Sequence, residues 1–443
     1  MRTSILNLVA VLGALAASAA VTELPNGGVW NDTDGVMINA HGGALMKDGD
    51  TWYWYGEHKT AGGAGNKAWV GVSCYSSTNL LDWVNEGTAF KVASADEVKA
   101  NPKLAGVEAG CILERPKVVK AQDGSRYVMY FHLEPKGQGY SGAQTGIAES
   151  ATPTGPFTLV WNGRPNAGER PVNGSDDDPL EWRAPWGGIA KQWRFHLPGG
   201  QMSRDMTLYT DPKDGTVYHI FASEDNSCLH LAEIRPDGLG YTGKWARLSH
   251  GEWTEAPAVV KRGDWYFLLG SGCTGWRPNA ARYYRAKSIW GPWERMGNPC
   301  RGGVNPEITW GGQSTGIFEV NGTAFAMFDR WQPKNAIDGR YVWVPIAFTD
   351  RGTMTIDWRE TFKPQLAEPW EDEYVSDVNR LPARTPIHPL DPRHTLNLDG
   401  DWSFQLVPGV TSRRGADNPA DTPAVTLPVP SCWQVEGARR GLD

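Results

Sequence analysis

The sequence predicts an all-β chain whose main body is a five-bladed β-propeller. Three observations lead there. One strand–turn–strand unit recurs five times, its turns carry the glycine chemistry of tight hairpins, and no stretch of comparable strength shows the 3.6-residue apolar period of a helix. Composition agrees: 52 Gly and 31 Pro among 443 residues give ample turn punctuation.

Each unit is an apolar strand, a polar turn holding Gly, and an aromatic-rich strand. In order these are "HGGALMKDGDTWYWYGE" (41–57), "ERPKVVKAQDGSRYVMYFH" (114–132), "DMTLYTDPKDGTVYHIFAS" (205–223), "EAPAVVKRGDWYFLLGSG" (255–272) and "QSTGIFEVNGTAFAMFDRW" (313–331). Asp-Gly and Asn-Gly supply the positive φ that two-residue hairpin turns need. Weaker strands follow, such as 72–84, 145–160 and 283–294, so each hairpin predicts a four-stranded blade. A large β-sandwich is the alternative architecture.

In a propeller the first strand of each blade lines the central channel, and its first residue sits at one mouth. Those residues are His41, Glu114, Asp205, Glu255 and Gln313, each 8 to 10 positions before its turn glycine. Three carboxylic acids, an amide and an imidazole thus converge from distant parts of the chain, where merely solvated strand ends would show Ser, Thr, Asn and Lys as often. The 22 Trp point the same way, since an indole offers a sugar ring a flat apolar face and one N–H donor. Sheet core accounts for the larger share of them.

Charge and termini narrow the function. A net charge of −7 without a basic stripe excludes nucleic acid and anionic membrane as partners. Residues 1–20, "MRTSILNLVAVLGALAASAA", carry the Arg, the short apolar run and the small-residue end of an export signal. They are too short to span a bilayer, and no later segment is long enough. A soluble, secreted protein is expected, acting as a monomer. The six cysteines lack metal-site spacing and allow one or two disulfides. Asn31, Asn173 and Asn321 stand in glycosylation sequons.

"NAHGGALMKDGDTWYWYGE", "LERPKVV", "SRDMTLY", "TEAPAVV", "CTGWRPN" and "TWGGQSTGIF" together resemble glycoside hydrolase family 43, in particular its exo-β-1,3-galactanase branch, over residues 28 to 365. The resemblance implies a five-bladed propeller and removal of terminal galactose from β-1,3-galactan, as in arabinogalactan backbones, with inversion at the anomeric carbon. Such chemistry needs a protonated carboxylic acid on the leaving oxygen and a group directing water to the opposite face.

Glu255 matches the general acid. A glutamate at a channel mouth, near other carboxylates and Trp253, has its pKa pushed toward neutrality. By the same likeness Asp205 tunes this acid and holds the sugar. Glu114 binds the terminal galactose, with Arg115 holding the Glu114 carboxylate. The first-blade aspartate that most of the family carries is absent, and "NAHGG" stands in its place. In this branch an amide, here Gln313, sits where water is activated, either through its imidic tautomer or by orienting the water. Glu57, Tyr140, Asn226, Thr274 and Trp276 become sugar contacts, with Trp276 as the stacking platform. Asp329 and Arg330 read as a structural ion pair. The chemistry requires no cofactor and no metal, and no oxygen-ligand cluster for calcium stands out.

The expected organisation is an export signal (1–20), the propeller (21–375), a Pro-rich linker (376–394) and a tail (395–443). The tail's "TLNLDGDWSFQL" and "VTLPVPSCWQVEG" resemble the opening strands of a family 2 sugar-binding β-sandwich. About 100 residues close such a sandwich, so an incomplete β-sandwich fragment is expected. Two further functions remain open. One is another family 43 specificity, α-L-arabinofuranosidase or β-xylosidase; the other is a galactan-binding propeller without catalysis.

Overall fold

The computed structural model describes residues 21–365, apart from 64, 185 and 186, and the backbone of two strands, Gly400–Phe404 and Val425–Val429. The expected export signal and linker lie outside the described residues, as does most of the tail. Five sheets follow one another along the chain as five blades. The first is His41–Asp48, Thr51–Glu57, Gly71–Ser77 and Val84–Lys91. The second is Ile112–Lys120, Tyr127–Glu134, Gln144–Ser150 and Thr158–Gly163. The third is Met206–Thr210, Val217–Ser223, Cys228–Ile234 and Tyr241–Arg247. The fourth is Thr254–Arg262, Trp265–Gly272, Ala281–Ala286 and Glu294–Gly297. The fifth is Gln313–Val320, Thr323–Arg330, Arg340–Phe348 and Met354–Asp357. It gains an edge strand, Cys300–Arg301, parallel to Met354–Asp357, beyond the four expected.

The hairpin turns form as their chemistry requires. Asn321 and Gly322 have φ of 51° and 81°, the two left-handed residues of a type I′ turn. The first strand of each blade packs against the first strand of the next, and the fifth returns to the first, which closes the ring.

A short clasp reinforces that closure. Leu24–Pro25 pairs antiparallel with Thr361–Phe362. Beside it the Asn26 amide donates to the carbonyls of Trp343 and Arg359, both at 3.0 Å, and accepts from the Trp343 N–H at 2.8 Å.

Apolar side chains pack between blades rather than in one centre. Between the fifth and first blades lie Trp30, Trp54, Trp83 and Trp343, with the Trp54 and Trp343 rings 4.8 Å apart. Each such burial is worth about 2–3 kcal/mol over exposure. All five described cysteines are free thiols, so the disulfides that spacing allowed do not form among them; Cys432 lies outside the described residues. The chain also makes a short helix, Ala95–Ala100, where Ser94 and Glu97 complete a capping box. In the tail, Gly400–Phe404 and Val425–Val429 pair antiparallel.

Candidate active site

The inner strands break their own ladders where they reach the channel mouth. Register slips between His41 and Ala44, Glu114 and Lys117, Glu255 and Ala258, and Ser314 and Gly316. In three of them the residue after the strand-start polar group is left-handed: Gly42 (φ 61°), Arg115 (57°) and Ala256 (52°). A bulge re-aims the side chain before it, and a left-handed non-glycine residue persists only where its surroundings hold it. Pro116 and Pro257 fill the unpaired positions of two bulges, where a missing N–H costs no ladder bond.

Eight of the nine predicted site residues line one cavity of about 310 Å³: Glu255, Asp205, Gln313, Glu114, Glu57, Tyr140, Asn226 and Trp276. The ninth, Thr274, does not. Its hydroxyl donates to the Arg277 carbonyl at 2.5 Å and accepts from Asn279 at 2.7 Å, so the loop consumes it. His41 is also not at the mouth. It is fully buried, stacked 5.2 Å from Tyr341, with Nδ1 3.6 Å from Asp329. Four strand starts, not five, therefore reach the cavity.

Glu255 accepts a hydrogen bond from the Asn226 amide at 2.7 Å. Burial and then the Asp205 charge push its pKa up to about 7, against the opposing pull of Arg115. Asn226 closes a run of three left-handed residues, Glu224 (51°), Asp225 (55°) and Asn226 (67°). Its anchor is the buried Glu224 carboxylate, held by Arg247 at 2.7 and 2.8 Å and 2.8 Å from His230.

Contrary to expectation, Arg115 does not hold Glu114. Its guanidinium binds Asp205 at 2.9 Å and the Gln313 carbonyl oxygen at 2.6 Å. Glu114 is instead 3.1 Å from His132 Nδ1 and accepts the Tyr140 hydroxyl at 2.8 Å. Burial alone would raise its pKa, but His132 outweighs that and holds it well below the usual range, near about 2. His132 lies between Glu114 and Glu134; burial opposes its charge, yet the two carboxylates raise it to about 9. Gln313 is fixed on both sides. Its oxygen also accepts the Trp331 indole N–H at 2.8 Å, and its NH₂ donates to Ser271 at 2.9 Å.

Cross-strand register places a partner opposite each of four residues, and two of these partners, His132 and Ser271, were missed by the sequence reading. His41 pairs with Glu57, Glu114 with His132, Glu255 with Ser271 and Gln313 with Asp329. Three of these partners reach into the next blade of the ring. Glu57 accepts the Arg115 backbone N–H at 3.0 Å, Ser271 accepts from Gln313, and Asp329 accepts the Gly42 N–H at 2.9 Å. Asp329 therefore does not pair with Arg330, its strand neighbour on the opposite face; Arg330 lies over Trp358 instead. Gly42 is obligatory: a Cβ there would come 2.2 Å from Glu57 Oε1. Lys59, which forms an ion pair with Glu57, and Arg204 and Trp331 complete the missed part of the lining. Below the floor, Lys117 donates to the Gly42 carbonyl at 2.8 Å; burial and Arg115 pull its pKa down to about 7.

Glu114, His132 and Asp205 bring three ligand atoms within 4.8 Å of one another. They do not suit a cation. His132 donates toward carboxylates on both sides, and Asp205 already carries the Arg115 guanidinium. What the cavity offers is a polar socket with one carboxyl poised near neutrality, a fixed amide, and indole faces at Trp276 and Trp331.

The sequence profile of the glycosyl hydrolases family 43 matches residues 177–343. Among solved structures, a family 43 β-1,3-galactosidase in complex with galactodeoxynojirimycin is 40% identical, with 77% of this chain and 100% of that chain covered and a TM-score of 0.70. An exo-β-1,3-galactanase from Phanerochaete chrysosporium, solved with β-1,3-galactotriose, is 26% identical, covering 78% of this chain and 70% of that one with a TM-score of 0.62. The xylosidase/arabinosidase 43B of Humicola insolens is 24% identical over 229 residues, 51% of this chain. The chain spans only 35% of that relative's length.

Proposed function

The chain belongs to glycoside hydrolase family 43, and from that premise we propose that it removes terminal galactose from β-1,3-galactan, the backbone of arabinogalactan, with inversion. The observation that carries this reading is Glu255, a half-buried glutamate with its pKa raised to about 7 beside Asp205 and Asn226. It is about half protonated at neutral pH and more fully so at acidic pH, and it is positioned to give its proton to a leaving oxygen.

The other roles follow from contacts. Arg115 ties Asp205 to Gln313, so the group beside the acid and the group directing water move as one. The Gln313 oxygen accepts from two groups that can only donate, a guanidinium and an indole, which keeps the side chain in its amide form. That supports orientation of the water over imidic-tautomer catalysis. Glu114 and Tyr140 offer hydrogen bonds to sugar hydroxyls, and Trp276 offers a stacking face. A cavity of about 310 Å³, at the small end for ligand pockets, suits one terminal sugar rather than a threaded chain. Residues 1–20 support action outside the cell.

The test is to incubate the protein with linear β-1,3-galactan and identify what is released. Free galactose as sole early product, first seen as the α-anomer by proton NMR, is the expected result. Binding without turnover would overturn it in favour of a galactan-binding propeller. A second reading, xylosidase or arabinofuranosidase activity, is favoured by the Humicola insolens relative and is read by aryl-xyloside and aryl-arabinofuranoside hydrolysis.

A further inference from the structure

A second groove, of about 490 Å³, opens at the outer rim between the second and third blades and shares no lining residue with the catalytic cavity. The outermost strand of the second blade contributes Trp161, and the loop after it contributes Asn166 and Glu169. The turn before the outermost strand of the third blade contributes Arg235, and that strand itself contributes Tyr241 and Gly243.

Trp161 is 37% exposed and stands edge-on to Tyr241, with ring centroids 6.4 Å apart at 77°. Its indole is braced from one side and open on the other. Asn166 lies beneath the groove, 7% exposed, in a left-handed conformation (φ 57°), with both amide atoms closed off from the groove. The Glu169 carboxylate lies against Gly243. A Cβ there would sit 3.3 Å from Glu169 Cδ, on a backbone at φ 92° that disfavours any side chain. Arg235, the groove's cation, is neutralised by Asp237 at 3.2 Å.

A braced, exposed indole beside an exposed carboxylate, with no free positive charge, matches a neutral sugar. Its C–H face stacks on the ring, while its hydroxyls donate to the carboxylate. We propose that this groove is a second carbohydrate-binding site that holds an internal unit of a neutral β-1,3-galactan chain while chain ends are processed at the catalytic mouth. The choice of galactan rests on the activity proposed above; the groove's chemistry does not.

The experiment is affinity electrophoresis of the full chain in native gels containing β-1,3-galactan. Glu255→Gln serves as the background so that the polymer survives. Chain ends are dilute in a polymer, so retardation reports mainly on internal binding. Adding Trp161→Ala or Glu169→Gln is expected to weaken the apparent affinity about tenfold. In the unmodified catalytic background, either substitution leaves kcat/KM on galactobiose unchanged and lowers the rate on long galactan. Two variants guard against a folding defect in one, and near-UV circular dichroism checks both. Unchanged retardation in both variants would overturn the second site while galactobiose cleavage persists. Failure of the unaltered protein to cleave galactobiose would overturn the activity reading and leave the retardation to judge the groove.

Discussion

Arg115 donates to the carbonyl oxygen of Gln313 at 2.6 Å, so the amide facing the candidate water site is turned by a cation and cannot itself titrate near neutral pH. The pH profile of kcat/KM should therefore lack a rising limb from a carboxylate base above pH 5. It should fall about tenfold per unit on the alkaline side of about 7, as Glu255 loses the proton it must deliver. A limb rising between pH 5 and 6 would mean that a titrating base operates after all.

Glu255→Gln is expected to cut turnover by a factor of about 10² or more. The same change should stabilise the fold at alkaline pH. Because the native pKa of Glu255 is raised from 4.5 to about 7, the folded state binds more protons between those values, and stability is lost as pH rises through them. Gln removes that penalty, on the order of 2–3 kcal/mol at pH 8. Urea unfolding at pH 8 and pH 4.5 checks this, and the gap should vanish at the lower value.

Trp276 is 42% exposed and Trp331 is hydrogen-bonded to Gln313, so the two indoles should fail differently. Trp276→Ala removes a stacking face and is expected to raise KM about tenfold with kcat little changed. Trp331→Ala frees Gln313 on one side and should lower kcat. Equal effects of both on KM alone would contradict these assignments.

Arg247→Met leaves the buried Glu224 carboxylate without its two shortest bonds. A loss of about 3 kcal/mol is expected, because only His230 then remains beside that charge. The left-handed turn bearing Asn226 loses its anchor as well, so kcat should fall by roughly tenfold or more even where the protein remains folded. Arg247→Lys, which cannot bond both oxygens side by side, should rescue stability better than turnover.

Asn26→Ala should cost about 2–3 kcal/mol, from three lost hydrogen bonds at the clasp. Thermal denaturation would register it. KM should not move, because no clasp residue lines the cavity.

Much of this was legible in the chain. The five hairpins announce themselves through turn glycines, and Glu255, Asp205, Glu114 and Gln313 follow by counting back from them. The misses have physical causes. His41 stands at a strand start like the others, but "HGG" lets the backbone fold close over Glu57, which sinks the imidazole beneath the mouth. Thr274 looked available, yet its own loop uses the hydroxyl. Arg115 was paired with its sequence neighbour Glu114, whereas its left-handed backbone turns it to other blades. His132 was not singled out, although counting across the second blade's turn places it opposite Glu114. Cross-strand register was the unused signal.

Leu24 finds its partner only at Phe362, so the ring cannot be completed while a ribosome still holds the last blade. Until then the indoles of Trp30, Trp54 and Trp83 await Trp343 and present an apolar edge to other chains, the kind of surface that chaperones shield. The same meeting of distant ends makes the propeller a natural subject for circular permutation, with the old ends joined at the clasp and new ones opened in a hairpin turn on the rim.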